Sequence, residues 1–216
     1  IIEKNVKVIN GHPMILWPLY TLSKLFYAEH ILVSTDSQKI KSLVESKGLK
    51  VPFKRPKSLS DDYTGIVEVT KHALNWYEQN IRKVEFVLTV YPTALMLSEV
   101  DICKAIEILE KDEKFDSIMS ATNFLFPIQR AVYNNDSGFA EMFYPKKYSS
   151  RSQDLVQAKH DAGQFYLSRA EAVRNSKILT NSKVKLYMLN RNKVIDIDTP
   201  EDFEIAEEKL KLYKKK

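Results

Sequence analysis

Glu85-Phe86-Val87-Leu88-Thr89-Val90 is an apolar run closed by Tyr91-Pro92-Thr93. Nearly unbroken hydrophobicity of strand length marks a strand covered on both faces, as in parallel sheets sandwiched between helices. Ser98 to Lys111 then has helical spacing, and Asp116-Ser117-Ile118-Met119-Ser120 reads as the next strand. Outward from this unit the alternation continues. Pro13 opens an apolar helix to about Ala28, and His30-Ile31-Leu32-Val33-Ser34 reads as a buried parallel strand ending in Thr35-Asp36. A polar helix from Ser37 to Lys47 is stopped by Gly48, and Lys50-Val51-Pro52-Phe53 is a short strand. Thr64 to Gln79 is an amphipathic helix with Val69, Ala73, Trp76 and Tyr77 on or near one face. Gln164-Phe165-Tyr166-Leu167, Val184 to Leu189 and a last helix from Pro200 complete the pattern. The expected architecture is α/β, a mostly parallel sheet flanked by helices in one domain over residues 1–216. Between Pro127 and His160 the grammar breaks into a stretch rich in Tyr, Phe, Asn and Lys. That stretch is expected to be an excursion, a lid or a partner-binding arm.

Composition narrows the function. The 216 residues are 44% hydrophobic and 28% charged, enough for a folded core. The net charge of +5 includes the final Lys214-Lys215-Lys216, read as a solvated helix end; other basic residues are interleaved with acidic ones. No basic stripe of the kind that tracks nucleic acid appears. The single Cys103 excludes an intramolecular disulfide and any Cys-based zinc site, and its place on a helix predicts a buried small hydrophobe. No apolar run approaches the roughly 18 residues of a membrane span. Ile1 to Asn10 is polar and charged, without a signal-peptide pattern. A cytoplasmic protein is expected.

Ligands of open α/β sheets bind at the carboxyl ends of strands. The residues to inspect are therefore Ser34-Thr35-Asp36, Arg55-Pro56, Tyr91-Pro92-Thr93 and Val194-Ile195-Asp196-Ile197-Asp198. Asp36 reads first as the N-cap of the following helix. Thr93 is either a site residue or a turn residue after Pro92. On an extended segment Asp196 and Asp198 leave the same face, about 7 Å apart. A magnesium ion takes one or two such carboxylates and completes its shell with water and phosphate oxygens. The other reading is structural: Thr199, Pro200 and Asp202 form a capped helix start, with the aspartates as ordinary surface carboxylates.

Several ordered segments resemble the acylneuraminate cytidylyltransferase family. They are Lys4-Asn5 with Gly11-His12-Pro13-Met14-Ile15, Val33-Ser34-Thr35-Asp36, Val51-Pro52-Phe53-Lys54-Arg55-Pro56 and Leu59-Ser60-Asp61-Asp62-Tyr63-Thr64-Gly65. Tyr91-Pro92-Thr93-Ala94, Phe126-Pro127-Ile128-Gln129-Arg130-Ala131, Arg151-Ser152-Gln153-Asp154-Leu155, His160-Asp161-Ala162-Gly163-Gln164-Phe165-Tyr166 and Asp196 to Asp202 follow. The segments at 127–131 and 160–166 select the branch that resembles pseudaminic acid cytidylyltransferase.

The resemblance implies a Rossmann-like nucleotidyltransferase fold and a homodimer with crossing arms. It implies transfer of CMP from CTP to a nine-carbon acidic sugar, pseudaminic acid, with release of pyrophosphate, for surface glycan or flagellin glycosylation. Asp196 and Asp198 match the Mg²⁺ ligands. Lys4, Asn5, Arg55, Asp62, Thr64 and Thr93 match the nucleotide side. Gln129, Arg130, Arg151, Gln153, His160, Asp161, Gln164 and Tyr166 match the sugar side. A planar Arg fork suits the sugar carboxylate, although Arg130 and Arg151 also fit structural salt bridges. Tyr166 fits a core position as well, and His160-Asp161 fits either a turn or a histidine oriented by a carboxylate.

The family carries a glycine-rich basic loop that wraps the triphosphate, and this chain starts just past the matching point, at Ile1. The expectation from that departure is little or no activity for the chain as written. Ile66 also stands where a hydroxyl residue is expected, and Leu95 where a Pro is common. The competing expectations are the same chemistry on sialic, legionaminic or 3-deoxy-octulosonic acid, and a silent nucleotide-binding or scaffold relative.

Overall fold

The computed structural model describes residues 3–176 and 182–214, with the side chain of Lys214 left out. Ile1, Ile2 and the end of the Lys214-Lys215-Lys216 run, expected as a solvated helix end, lie outside the described residues.

The centre is a four-stranded sheet built from β3 (Phe86–Val90), β4 (Ser117–Asn123), β7 (Lys159–Arg169) and β8 (Val184–Met188), in the order β3-β7-β4-β8. β7 pairs antiparallel with both β3 and β4, and β8 pairs parallel with β4. Hence β3, β4 and β8 point one way and β7 runs back between them. The α/β reading holds with a mixed sheet. The carboxyl ends of three strands and the amino end of β7 share one edge.

α4 (Glu99–Lys111) covers one face. Ser98 caps it by accepting from Asp101 N at 3.2 Å, and Glu99 and Asp101 place negative charge in the first turn. Ile102, Ala105 and Leu109 line its inner side and pack with Ile118, Phe165 and Leu167. Cys103 sits outside that stripe and is exposed, which corrects the expectation of a buried thiol. α3 (Ile66–Asn80) covers part of the other face, where Thr70 meets Thr89 at 3.2 Å. It starts at Ile66, not Thr64, because Thr64 is held in a turn by Asp61. Its buried side is Thr70, Leu74 and Tyr77. Of the expected stripe, Val69, Ala73 and Trp76 are only half-buried.

α1 (Leu16–Leu25) and α2 (Gln38–Glu45) flank a second core of Leu16, Leu19, Ile31, Val33, Val44 and Val51. Pro13 lies before α1, in a two-residue ladder of β1 (Val8–Ile9) with β2 (His12–Pro13). The segments around Ile31–Val33 and Val51 are buried and extended as expected, but neither belongs to a strand ladder among the described residues. Apolar patterning dictates burial; a ladder also needs a neighbouring backbone in register.

The excursion carries its own hairpin, β5 (Val132–Asn134) against β6 (Ala140–Met142). Phe126, Phe139, Phe143 and Tyr148 stand exposed along it. After β7 come the short α5 (Ala170–Arg174) and, last, α6 (Pro200–Lys214). No helix is long and apolar enough to cross a membrane among the described residues.

Candidate active site

The carboxylate segment 194–198 is extended but unladdered, so it is a loop rather than the expected strand. Its alternation survives: Ile197 is fully buried, while Asp196 and Asp198 are exposed on either side of it. An extended backbone sends alternate side chains to opposite sides, so the two carboxylates leave together. The helix start behind them is also as read. Asp202 Oδ2 accepts from Thr199 N and Thr199 Oγ1, both at 2.8 Å, and Thr199 Oγ1 accepts from Asp202 N at 3.2 Å. The capping box and the carboxylate pair therefore coexist. Those hydrogen bonds, from the Thr199 backbone first, hold the Asp202 carboxyl below the ordinary value.

Four contacts pin this loop. Lys193 Nζ donates to Asp101 Oδ2 at 2.7 Å, with side chains only 25% and 16% exposed. Gln164 Nε2 donates to the Lys193 carbonyl, and Lys209 Nζ to the Val194 carbonyl at 3.0 Å. Lys4 Nζ bridges the Ile197 carbonyl and Asp198 Oδ1, the latter at 3.1 Å. Burial alone would raise the Asp101 carboxyl, but hydrogen bonds from Lys193 and Ser98 outweigh it and hold the group below its ordinary value. Asp101 and Lys193 have no signal in the sequence beyond their charge. Their pairing spans 92 positions.

β7 contributes the second wall. Between the pairs Met119↔Tyr166 and Ala121↔Asp161 the register slips, and Ala162, Gly163 and Gln164 bulge. Gly163 has φ +59°, a conformation costly for residues with a Cβ. Asp161 secures the bulge, accepting Gly163 N on Oδ1 at 2.8 Å and the Tyr166 hydroxyl on Oδ2. Tyr91 stacks edge-on against Tyr166 at 5.8 Å between ring centroids. Burial first, and then the charges of Asp161 and Asp196, push the Tyr91 phenol up, against the opposing effect of its hydrogen bond with Tyr166. Tyr166 occupies the core position, buried, with its hydroxyl donating to Asp161. His160 Nδ1 donates to the Asp161 carbonyl at 2.8 Å, a turn-like bond rather than a carboxylate-oriented ring.

Of the residues expected on the nucleotide side, Lys4 reaches the carboxylate loop, whereas Arg55 and Thr64 belong to a separate group. Arg55 donates through Nε to Ser60 Oγ at 3.1 Å and faces Asp36 at 3.5 Å. Asp36 is therefore a partner of Arg55; the cap of α2 is Ser37, whose Oγ accepts from Ile40 N. Asp61, not Asp62, organises the following turn, accepting from Tyr63 N, Thr64 N and the Thr64 hydroxyl. Those bonds, the Tyr63 amide first, hold its carboxyl low. Asp62 is exposed and makes no hydrogen bond among the described residues. The carbonyl of Asn5 accepts Ile15 N at 2.9 Å, and that of Thr93 accepts Leu95 N at 2.8 Å.

The residues of the excursion are largely committed to it. The Arg130 guanidinium donates to the Tyr148 carbonyl at 2.6 Å and to the Ser150 carbonyl. Arg151 forms a two-pronged pair with Asp154, at 2.8 and 3.2 Å. Gln129 Nε2 donates to the Val156 carbonyl at 3.0 Å, and Gln153 is exposed. No hydrogen bond or ion pair among the described residues links this group, or the Arg55 group, to Asp196 and Asp198.

A family model described as cytidylyltransferase fits residues 1–215. The chain belongs to the cytidylyltransferase family. The chain is 34% identical to the pseudaminic acid cytidylyltransferase of Campylobacter jejuni over 205 residues, covering 94% of the chain and 88% of that protein. It is 23% identical to the N-acylneuraminate cytidylyltransferase of Escherichia coli over 204 residues, covering 94% of the chain and 47% of that protein. Among solved structures, CMP:2-keto-3-deoxy-manno-octonic acid synthetase complexed with CTP superposes with a TM-score of 0.68 at 13% identity, covering 98% of this chain and 93% of that one. A 4-diphosphocytidyl-2C-methyl-D-erythritol synthase from Anaerococcus prevotii gives a TM-score of 0.66 at 16% identity, covering 96% and 93%. The fold is that of nucleotidyltransferases.

Proposed function

We propose that the chain transfers CMP from CTP to pseudaminic acid, releasing pyrophosphate, with Mg²⁺ bound by Asp196 and Asp198. The sugar's anomeric hydroxyl oxygen bonds to the α-phosphorus, the bond from that phosphorus to the bridging oxygen of the β-phosphate breaks, and the hydroxyl proton passes to solvent. The observation that carries this reading is the exposed aspartate pair on a loop pinned over the strand-end edge. The donor set fits magnesium. Asp196 and Asp198 would offer two exposed carboxylates and leave positions for water and phosphate oxygens. Asp198 is 72% exposed and gives Lys4 only one oxygen, so its other lone pairs are open. The metal would neutralise charge on the triphosphate and the leaving pyrophosphate. Lys4 adds a cation beside them, and Arg55, held by Ser60 and Asp36, supplies a fixed planar fork on the nucleotide side.

The exposed aromatic residues of the excursion support assembly as a homodimer through that arm, since apolar patches of this kind mark interaction surfaces. We place the reaction in the cytoplasm, in a route to glycosylated surface structures. The test is direct: purified protein with CTP, Mg²⁺ and a panel of acidic sugars. CMP-sugar and pyrophosphate are expected, fastest with pseudaminic acid. Absence of product with every acid overturns the proposal; a faster sialic, legionaminic or 3-deoxy-octulosonic acid reassigns the substrate.

A further inference from the structure

At the carboxyl ends of β4 and β8, beside the carboxylate loop, lies a cavity of about 450 Å³. Arg191, Asn123, Gln157, Phe124 and Leu125 contribute to its wall. Three kinds of group meet there. Arg191 is exposed, and its guanidinium makes no hydrogen bond or ion pair among the described residues. The arginines of the excursion differ: Arg130 donates to backbone carbonyls and Arg151 grips Asp154. An unspent planar fork is the natural partner of a carboxylate. Asn123 Oδ1 is buried and has no hydrogen-bond partner, so the wall carries an acceptor in want of an N–H. The side chain of exposed Gln157 likewise has none among the described residues. Phe124 and Leu125 stay exposed at the rim, the Phe124 ring packed edge-on against His160 at 4.8 Å.

Carboxylate recognition, amide recognition and a small apolar wall together describe an acylamino sugar acid. We infer that this cavity is the sugar subsite, where Arg191 pairs with the sugar carboxylate, Asn123 accepts from the acylamino N–H, and Phe124 and Leu125 cover the acyl group. The inference rests on the cytidylyl-transfer reading above and deepens it. The position is preorganised. Arg191 begins a 3₁₀ turn, Arg191–Lys193, capped by Asn190, whose Oδ1 accepts Asn192 N at 2.9 Å. Lys193, two residues on, is tied to Asp101 and Gln164. A carboxylate seated on Arg191 is thereby fixed along the chain relative to Asp196.

The experiment compares wild type, Arg191→Ala and Arg191→Lys with pseudaminic acid and with its C1 methyl ester, at saturating CTP and Mg²⁺. Wild type should favour the acid over the ester by about tenfold or more, the scale of one hydrogen bond to a charged group. Arg191→Ala should raise KM for the acid by about tenfold, leave KM for CTP within about twofold, and lose the acid-over-ester preference, with Arg191→Lys in between. Phe124→Ala, an independent variant, should lose the preference for the N-acetylated sugar over its free amine. An Arg191→Ala enzyme with unchanged KM for the acid, or with KM for CTP raised by the same factor, overturns the assignment while wild-type turnover leaves the parent reading standing. A wild type that makes no CMP-sugar removes both. Arg191 is exposed, so an unchanged melting temperature is the folding control.

Discussion

The carboxylate loop and the excursion both lack regular structure over most of their length, yet they are held in opposite ways. The loop at 193–198 is tied by Asp101 and Lys4, across 92 and 193 positions of sequence, and by Gln164 and Lys209 from two further elements. The excursion is tied mainly to itself: Arg130 to Tyr148, Arg151 to Asp154, Tyr133 and Asn135 to Glu141. Long-range ties give a geometry that persists as long as the domain is folded. Local ties fix the shape of an arm but not its place, which leaves the arm available for a partner to position.

The largest effect expected from this contrast concerns chemistry. Asp198→Asn and Asp196→Asn should each lower kcat by about 10²–10³-fold, as for removal of one preorganised charged group. Melting temperatures should barely move, because both side chains are exposed. Steady-state assays beside thermal melts check this, and a parallel loss of stability would make the pair structural.

A smaller effect is expected at the pin. Asp101→Asn should cost roughly 2 kcal/mol, the scale of hydrogen bonds to charged groups, and should lower kcat/KM by loosening the loop. The pH dependence follows from the depressed carboxyl of Asp101. Its contribution is fully present above the ordinary carboxylate value and is lost as pH falls through the lower, folded one. Urea melts from pH 6 downward should therefore converge for wild type and Asp101→Asn in acid.

The smallest global effect belongs to the arm. Arg130→Ala should change overall stability by under about 1 kcal/mol, within the range of exposed contacts. Hydrogen exchange should nevertheless accelerate around Tyr148 and Ser150 while the amides of β4 and β7 stay protected. Equal loss of protection in the sheet would show that the arm is part of the core.

Local chemistry was legible from one dimension. The capping box at Thr199 and Asp202 and the alternation that sends Asp196 and Asp198 the same way each depend on residues within four positions. Burial of Ile31, Val33 and Val51 was legible too, since hydrophobic patterning reports what leaves water. Two misreadings depend on distant neighbours, since Cys103 lies outside the stripe of α4 that the sheet buries and Asp36 answers Arg55 instead of capping; the third is local, a turn in which Asp61 draws Thr64 from α3.

What the chain determined on its own is the main helices, the strands of the central sheet and the two carboxylates with their spacing, because steric and hydrophobic periodicities act within a turn or two of backbone. What only the folded molecule decided is the antiparallel insertion of β7, the bulge at Gly163 and the clamp of Asp101 on Lys193. Those depend on which distant segments become neighbours. That outcome is selected by register and by the need to pair every buried polar group, and no local spacing encodes it.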